Sequence, residues 1–319
     1  MDELRVFGVD GGGTRLRGLI LSSTRGILGR SESGSGNLQD IGIDGVRRNL
    51  LAARRGAFVD AGLEPSPLDG AWLALAGLRS DDEKRRLSKA LSQDVFASSP
   101  GGLNFSPDVE AAWAGGLLMQ PGLVLVAGTG SCAWGRAQDE SSAQVGGHGP
   151  FIDDAGSGYD LGRRALARAL RTYEGRLAPW PGEAALCSHF DLKTPLDLRD
   201  KNLGRADVAS AARVVTDLAQ AKDEVAISLL RAGAKELARM ARALAEKLKM
   251  PHPDIVLAGG LMLNSPAYRQ LVEHELSALL PACRLQQPTF DATLGAALLA
   301  MSHQCSLSKS LVEKLRAQA

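Results

Sequence analysis

Two short glycine-rich turns, far apart in the chain, constrain its fold more than any other feature. The first is Asp10-Gly11-Gly12-Gly13-Thr14 and the second is Gly128-Thr129-Gly130-Ser131. Each turn follows a short apolar run and precedes a run that alternates polar and apolar residues, as a strand does. Glycine lets the backbone approach an oxyanion closely, and successive backbone N–H groups form an anion-binding nest. The two strand–turn–strand units therefore predict two similar halves that bind the phosphates of a nucleotide.

Taken alone, either turn is more simply interpreted as a glycine hairpin, and only the pair, spaced one per domain, favours phosphate binding. A dinucleotide-binding fingerprint is disfavoured because that motif opens a helix, whereas the residues after Thr14 alternate like a strand. Asp10, directly before the first glycines, is predicted to help place a phosphate-bound Mg²⁺ through water. A third turn, Gly259-Gly260, fits either close strand–helix packing or contact with the adenosine of the nucleotide.

The composition limits the classes of protein that this chain can belong to. Its 319 residues are enough for two domains, and a net charge of +1 disfavours a nucleic-acid partner. The four cysteines form no CxxC pair, so reduced thiols in a cytoplasmic protein are expected rather than disulfides or a zinc site. No stretch approaches the roughly 18 apolar residues of a transmembrane helix. The first residues lead directly into a predicted strand, so neither a signal peptide nor a membrane partner is expected.

The predicted elements fall into two α/β halves. In the first half, strands are predicted at 4–10, 15–22, 25–32, 71–76 and 102–105, and helices at 41–61, 81–94 and 109–119. The pattern then restarts, with strands predicted at 123–127, 132–138 and 254–258 and helices at 222–249, 265–280, 291–303 and 306–318. We interpret this as a structural repeat and expect two domains, 1–120 and 121–300, that face one ATP cleft. The last helix, about 301–319, is available to pack back on the first domain.

Several polar residues lie where they are suited to a substrate. Asp108 ends a predicted strand and precedes a helix, where an aspartate is equally expected as an N-cap or as the base that phosphoryl transfer to a hydroxyl needs. The glycine-rich loop 146–158 contains Asp153 and Asp154, and is interpreted either as a capped loop or as a site for sugar hydroxyls. Asn37 is by default a turn residue, but its amide is also suited to a ligand's hydroxyl groups.

Together these motifs resemble those of the sugar kinase, heat-shock chaperone and actin superfamily. Within it, the chain is most similar to the N-acetylglucosamine kinases and the related BadF/BadG/BcrA/BcrD ATPases, which activate CoA-ester reductases and dehydratases. Residues 9–14 and 128–131 resemble the two phosphate motifs of that group, and Ser35-Gly36-Asn37 resembles its sugar-contacting loop. Asp108 falls at the family's catalytic aspartate, and residues 146–158 resemble a loop that reads roughly GGWGxxxGDEGSG in relatives.

The resemblance implies a ribonuclease H-like (actin-like ATPase) fold in both α/β domains, with ATP and Mg²⁺ as cofactors and Asp10 as the metal residue. It implies that Asp108 is the catalytic base, that Gly259 and Gly260 contact the adenosine, and that the protein forms a homodimer. The residues assigned to the phosphates are Gly11, Gly12, Gly13, Thr14, Gly128, Thr129, Gly130 and Ser131. The residues assigned to the sugar are Asn37, Asp108, Gly147 and Asp154.

The glycine-rich loop departs from the family pattern at three positions. His148 stands where relatives often have Trp, Asp153 where they have Gly, and Ala155 where they have Glu, whereas Asp154 keeps the family's acid. The resemblance therefore implies ATP-dependent phosphorylation of an amino sugar, N-acetylglucosamine or glucosamine, to its 6-phosphate, and leaves the choice of sugar open.

Two other functions remain as alternatives. An ATPase that switches a partner protein is disfavoured because none of the four cysteines, Cys132, Cys187, Cys283 and Cys305, sits in the iron–sulfur motif of the activator ATPases. A sugar- or nucleotide-sensing regulator is disfavoured because the first strand begins by Leu4, which leaves no room for the N-terminal DNA-binding motif of sugar-responsive repressors.

Overall fold

A computed structural model describes residues 3–78, 80–92, 94 and 102–318 of the chain. Gln93, which falls inside the predicted helix 81–94, lies outside the described residues. The chain divides into two compact units, of which unit 1 comprises residues 1–120 and 287–319 and unit 2 comprises residues 121–286. Within the described part of the chain, no helix is both long and apolar enough to cross a membrane.

The elements are named here in chain order. The strands are β1 (Arg5–Gly11), β2 (Leu16–Ser22), β3 (Gly26–Ser33), β4 (Gly70–Leu75), β5 (Leu103–Ser106), β6 (Gly122–Ala127), β7 (Ser131–Arg136), β8 (Ser142–Gly146), β9 (Asp254–Ala258) and β10 (Arg284–Gln286). The helices are α1 (Leu38–Asp60), α2 (Asp81–Leu91), α3 (Asp108–Leu117), α4 (Gly158–Tyr173), α5 (Gly182–His189), α6 (Arg205–Gln220), α7 (Glu224–Lys247), α8 (Gly260–Asn264), α9 (Pro266–Leu279), α10 (Ala292–Ser302) and α11 (Lys309–Gln318). A 3-10 helix spans Pro195–Asp200.

Each unit contains one sheet, and the two sheets have the same topology. Unit 1 has the strand order β3-β2-β1-β4-β5, and unit 2 has the order β8-β7-β6-β9-β10 when read from the same edge. In both sheets the first three strands along the chain are antiparallel neighbours, and the next two run parallel to the first. The structural repeat predicted from the sequence is therefore confirmed.

The core of unit 1 is built by alternating strand residues and by the apolar face of α1. Phe7, Val9, Leu16 and Ile20 are fully buried and pack in one cluster with α1 residues such as Leu50. Strand alternation places these side chains on one face of the sheet, which explains why the helix needs only one apolar stripe to cover it.

Helix α10 covers the other side of β1 and corrects the predicted domain boundary. A Cβ on Gly8 would lie 2.2 Å from the backbone nitrogen of Ala297, and a Cβ on Gly115 would lie 2.3 Å from the carbonyl oxygen of Asp291. Such close backbone approaches are possible only at glycine. Residues 287–300, which we had expected in the second domain, therefore belong to unit 1, because glycines on β1 and α3 let α10 pack directly against them.

The core of unit 2 is centred on the long helix α7. Its stripe of Leu230, Leu237, Ala241 and Leu244 is fully buried in the cluster that also contains residues of β6, α4 and α6. Asp223 caps α7 by accepting a hydrogen bond from the backbone nitrogen of Ala226 at 2.7 Å. The strands β8 and β10 were not expected from the sequence, because short, largely exposed edge strands carry little hydrophobic pattern.

Candidate active site

The first glycine turn is the connection of the β1–β2 hairpin. The backbone nitrogen of Gly12 donates to the carbonyl oxygen of Arg15 at 2.9 Å and closes the turn, while Gly13 and Thr14 are exposed. Because the Gly12 N–H is used inside the turn, we do not expect it to donate to a ligand. A Cβ on Gly12 would meet only the Arg15 carbonyl, at 3.5 Å, and a Cβ on Gly13 only an amide nitrogen at 3.9 Å.

The structure brings the Asn37 loop directly onto this turn. The backbone nitrogen of Gly36 donates to the carbonyl oxygen of Gly12 at 2.9 Å, and a Cβ on Gly36 would lie 2.4 Å from the Cα of Gly11. Since the carbonyl and the following N–H of a trans peptide point in opposite directions, the Gly13 N–H points away from the Asn37 loop. The turn therefore presents a donor on the side that this loop leaves open.

Asn37 has a structural role in addition to its predicted one. It is 3% exposed and caps α1, with its Oδ1 accepting from the backbone nitrogen of Gln39 at 3.0 Å. Its Nδ2 is the amide nitrogen that would lie 3.9 Å from a Cβ on Gly13. Capping orients the amide so that its NH₂ group faces the first turn, where a ligand hydroxyl can accept from it.

Asp10 and Asp108 lie at the same edge of the unit 1 sheet. Asp10 pairs with Ala74 of β4, Ala74 pairs with Ser106 of β5, and Asp108 follows two residues later. Ligands of open α/β sheets bind at the carboxyl ends of parallel strands, which is the edge where these aspartates lie.

The electrostatics of this edge are dominated by carboxylates. The pKa of Asp10 is raised from its ordinary value of 3.8 to about 7, first by burial and then by the charges of Asp108 and Asp291, against the opposing effect of Arg17. Two like charges near a partly buried carboxylate disfavour its ionised form. A cation at this edge would relieve the repulsion, which suits the donor set to a divalent metal ion.

Asp108 is not the helix N-cap that one interpretation of the sequence allowed. The N-cap of α3 is Pro107, and Asp108 is the first residue of the helix. The capping alternative is therefore wrong, and the carboxylate lies in the first turn, where the helix dipole favours a negative charge. This leaves the catalytic interpretation of Asp108 as a prediction.

The second glycine turn connects β6 and β7 and is anchored to the start of α4. The backbone nitrogens of Gly158 and Tyr159 donate to the carbonyl oxygens of Gly128 and Thr129, at 2.8 and 3.2 Å. By the geometry of the trans peptide, the N–H groups of Thr129 and Gly130 consequently point away from α4. The Gly128 N–H is used within the turn, where it donates to the Gly130 carbonyl at 2.9 Å.

Asp154 is buried against the second turn. It is 1% exposed, its Oδ1 accepts from the backbone nitrogen of Ser131 at 3.3 Å, and its Oδ2 accepts from Nη2 of Arg205 at 2.8 Å. Burial raises the pKa of Asp154, whereas the charge of Arg205 and these hydrogen bonds lower it. Because the carboxylate is buried, a sugar hydroxyl reaches it only if the loop rearranges. The predicted contact of Asp154 with the sugar stays a prediction.

The rest of the glycine-rich loop is anchored at both ends and exposed at its tip. Gly147 has a φ of 78° and a Cβ there would lie 3.0 Å from the Cβ of Cys132. At the other end, the hydroxyl of Tyr268 donates to the carbonyl oxygen of Gly156 at 2.6 Å. Between these anchors His148, Phe151 and Ile152 are exposed, so the tip of the loop faces solvent.

The third glycine turn lies beside the second. Val126 pairs with Ala258 in the parallel ladder, so β6 and β9 end at the same level. Gly259 has a φ of 94°, and a Cβ there would lie 2.4 Å from the carbonyl oxygen of Ala127, which explains the glycine by close packing. Gly260 is exposed, and its backbone nitrogen would lie 3.8 Å from a Cβ on Gly128. The predicted contact of both glycines with adenosine stays a prediction.

The residues present fit a nucleotide better than a metal held by protein alone. At Gly12, Gly13, Gly128 and Gly260, a Cβ would meet no atom closer than 3.5 Å, so close packing does not explain the glycines at these positions. Among the described residues, no group of three or more His, Cys, Asp or Glu side chains is arranged to hold a metal ion. A metal at Asp10 would thus take its other ligands from water and phosphate oxygens, as Mg²⁺ commonly does.

Two residues that shape these sites are not marked by any motif in the sequence. Arg205 is 51 positions from Asp154, and Asp291 is known from the sequence only as the start of a helix. Both act through contacts that the fold creates, so periodicity and spacing carry no signal for them.

These features define an α/β protein of two units whose sheets have the same topology, and comparison with known proteins agrees. The sequence profile of the BadF/BadG/BcrA/BcrD ATPase family matches residues 7–300. The chain belongs to this family. Membership of an ATPase family also supports ATP as the nucleotide.

The relatives with curated descriptions are sugar kinases. The chain is 28% identical to an N-acetylmuramic acid/N-acetylglucosamine kinase of Clostridium acetobutylicum, across 93% of this chain and 98% of the relative. It is 29% identical to the glucosamine kinase GspK of Vibrio cholerae, across 75% of this chain and 80% of the relative.

The solved structures agree with the predicted fold class. A candidate N-acetylglucosamine kinase from Chromobacterium violaceum superposes with a TM-score of 0.78 at 27% identity, across 93% of this chain and 98% of that one. The α/β fold with two ribonuclease H-like (actin-like ATPase) domains is thereby confirmed.

Proposed function

We propose that this chain is an ATP-dependent kinase that phosphorylates an amino sugar, N-acetylglucosamine or glucosamine, at its 6-hydroxyl group. The names of the curated relatives support the substrate class. The observation in this chain that carries the proposal is the position of Asp108. It lies at the sheet edge that bears the first glycine turn, and its charge acts on the carboxyl group of Asp10.

Each of the two turns is proposed to bind phosphate groups of ATP, which supplies the phosphoryl group when bound. In the first turn we assign this role to Gly13 and Thr14, with Gly12 leaving room for the phosphates and Gly11 packing against Leu75 and Gly36. In the second turn we assign the donors to Thr129 and Gly130, because the carbonyl groups of Gly128 and Thr129 are bound by α4. The third turn, Gly259-Gly260, is proposed to contact the adenosine.

Asp10 is proposed to place Mg²⁺ through water, which is consistent with the excess of carboxylates around it. Asp108 is proposed to accept the proton of the sugar hydroxyl as that oxygen attacks phosphorus. Asn37 is proposed to donate from its Nδ2 to a sugar hydroxyl, and Gly147 to contact the sugar through its backbone. Asp154 is proposed to shape this sugar site from its buried position.

The test of this function is ADP release by the purified protein with Mg·ATP. The panel contains N-acetylglucosamine, glucosamine, N-acetylmannosamine, glucose and no sugar. We expect strong stimulation by one amino sugar, with one sugar phosphate formed for each ADP. Slow turnover that no sugar changes would instead support an ATPase that switches a partner protein.

The role of Asp108 is tested by Asp108→Asn, with Glu110→Gln as its matched control. Both residues are acids in the first turn of α3. We expect Asp108→Asn to lower kcat by about a thousandfold or more with little change in nucleotide affinity, because a general base contributes on the order of 10²–10⁴ and its loss also misplaces the hydroxyl. The control should keep most of its activity. Near-normal kcat in Asp108→Asn would remove it from its proposed role.

The homodimer implied by the family resemblance is a separate proposal. Light scattering of the purified protein during gel filtration measures the mass in solution, and a mass of one chain of 33.6 kDa would contradict it.

A further inference from the structure

Arg205 lies beside the second glycine turn, at the first position of α6. Its Nη2 donates to Oδ2 of Asp154 at 2.8 Å, and a Cβ on Gly130 would lie 2.3 Å from the same nitrogen. The guanidinium group therefore contacts both the turn and the glycine-rich loop. The contact with Asp154 is made by one nitrogen of a long cationic side chain.

The carboxylate that Arg205 contacts is almost inaccessible to water. The side chain of Asp154 is 2% exposed, whereas that of Arg205 is 28% exposed. A buried carboxylate is costly unless a cation and hydrogen-bond donors surround it. Asp154 accepts from the Ser131 N–H on one oxygen and from Arg205 on the other. The charge of Asp153 also acts on Asp154 and raises the pKa of Asp154.

The backbone around Asp154 is tied to the turn by further contacts. The hydroxyl of Ser131 donates to the carbonyl oxygen of Ala155 at 2.7 Å. Asp154 itself has a φ of 61°, in the left-handed region that favours glycine, so the loop adopts a strained conformation here. Strain of this kind persists only where surrounding contacts hold it. One of these contacts is the ion pair, in which the Arg205 side chain of α6 holds the Asp154 carboxylate.

We propose that Arg205 is a positioning residue whose guanidinium group holds the Asp154 carboxylate against Gly130 and Ser131, so that the second turn and the glycine-rich loop keep one geometry. The inference rests on the proposed function, because the turn and the loop are the parts assigned there to ATP and to the sugar. Arg205 acts through Asp154 and is not itself a ligand of the phosphates.

The test compares Arg205→Gln, Arg205→Lys and the double variant Asp154→Asn/Arg205→Gln with the wild type. Arg284→Gln is the matched control, because Arg284 also pairs with an aspartate of unit 2, Asp254, but at an exposed sheet edge. The first readout is the Kd for a fluorescent ADP analogue with Mg²⁺ at pH 6 and pH 8. The second is hydrogen exchange of the amides at 128–131 and 146–158 in the nucleotide-free protein.

We expect Arg205→Gln to weaken ADP binding about tenfold at pH 8, the cost of one lost hydrogen bond to a charged group. Part of the affinity should return at pH 6, because an Asp154 without its cation takes up a proton more easily. The double variant should recover affinity at pH 8 and lose the pH dependence, since no buried charge is left unpaired. Arg205→Lys should bind nearly as the wild type does, and exchange in both segments should rise only in Arg205→Gln.

Two results would overturn the proposal. One is wild-type affinity and exchange in Arg205→Gln at both pH values. The other is a loss of affinity that is equal at both pH values and is not recovered in the double variant, which would make Arg205 a direct phosphate ligand. If Arg205→Gln does not fold, a tenfold loss at both pH values in Arg205→Lys overturns the proposal and near-wild-type binding supports it. A wild type that binds ADP but phosphorylates no sugar would contradict the proposed function and leave the role of Arg205 intact. Hydrogen exchange is measured without nucleotide or sugar, so it tests Arg205 independently of kinase activity.

Discussion

The two glycine turns occupy equivalent places in two sheets of the same topology, yet they are held in different ways. The first turn is braced by backbone: Gly36 packs against Gly11 and donates to the Gly12 carbonyl. The second turn is braced by charge, because its Gly130 packs against the ion pair of Asp154 and Arg205. The same local motif therefore depends on a steric constraint in one unit and on an electrostatic one in the other.

Because of this difference, the two turns should tolerate different changes in sequence and in pH. Backbone atoms in contact cannot move apart without shifting whole segments, whereas the end of an arginine side chain can change rotamer. Conversely, the steric brace is insensitive to pH, and the ionic brace depends on the protonation of a buried carboxylate. The four experiments below test this contrast, beginning with the largest expected effect.

An added methyl group should damage the first turn more than the second. In Gly36→Ala the new Cβ meets the Cα of Gly11 at 2.4 Å, and in Gly130→Ala it meets Nη2 of Arg205 at 2.3 Å. We expect Gly36→Ala to lower the free energy of unfolding by about 3 kcal/mol and Gly130→Ala by about 1 kcal/mol. The reason is that the Arg205 side chain can move aside for the new methyl group, whereas the backbone of Gly11 cannot. Urea denaturation measures both. Equal costs would contradict the contrast between a steric and an ionic brace.

Removing the carboxylate near each turn should have opposite effects on stability. The folded-state pKa of Asp10 is raised to about 7, so the folded protein binds more protons than the unfolded chain between pH 4 and pH 7, and stability falls as the pH rises through this window. Asp10→Asn should raise the free energy of unfolding by about 1–3 kcal/mol at pH 8 and change it little near pH 4.

The matched variant in unit 2 is Asp154→Asn. Because Asp154 is paired with Arg205, its replacement leaves a cation without its partner and should lower stability at pH 8. Both variants are measured by urea denaturation in buffer with EDTA and no nucleotide. A destabilised Asp10→Asn at pH 8 would show that burial and neighbouring charges do not disfavour the ionised carboxylate at the first turn.

Alanine substitutions at glycines without close neighbours should affect binding and spare the fold. A Cβ on Gly12 would have its nearest neighbour at 3.5 Å, and a Cβ on Gly128 at 3.8 Å. We expect Gly12→Ala and Gly128→Ala each to weaken Mg·ADP binding about tenfold, equivalent to about 1.4 kcal/mol, while stability changes by less than about 0.5 kcal/mol. Calorimetric titration measures the affinities. A loss in one variant alone would mean that only one turn contacts the nucleotide.

The smallest effect is expected at an exposed ion pair of unit 1. Arg30 and Asp291 are 41% and 51% exposed, unlike the buried carboxylate that Arg205 contacts. Arg30→Gln should change stability by less than about 1 kcal/mol, and the change should vanish in high salt, because solvent screens such pairs. Thermal unfolding at low and high salt measures this. A large, salt-independent loss would show that burial is not what distinguishes the pair at the second turn.

Much of the fold could be predicted from the sequence because its signals are local. The turns at Asp10–Thr14 and Gly128–Ser131, the strand alternation around them and the helix-breaking prolines after α7 each lie within a few residues of the structure that they determine. The structural repeat could likewise be predicted from the sequence, since each half shows the same order of apolar runs and turns. The placement of Asp108 at a strand end also followed from the local pattern.

The tertiary structure decided what depends on residues distant in the chain. It assigned α10 to unit 1, through the glycines Gly8 and Gly115 that admit its backbone, and it paired Arg205 with Asp154. It also set the raised pKa of Asp10, which comes from burial and from carboxylates about 100 and 280 positions away. Periodicity reports which face of an element is buried, but not which element covers it. The sequence alone therefore determined the two glycine turns and predicted phosphate as their ligand, and long-range packing and charge decided how each turn is held.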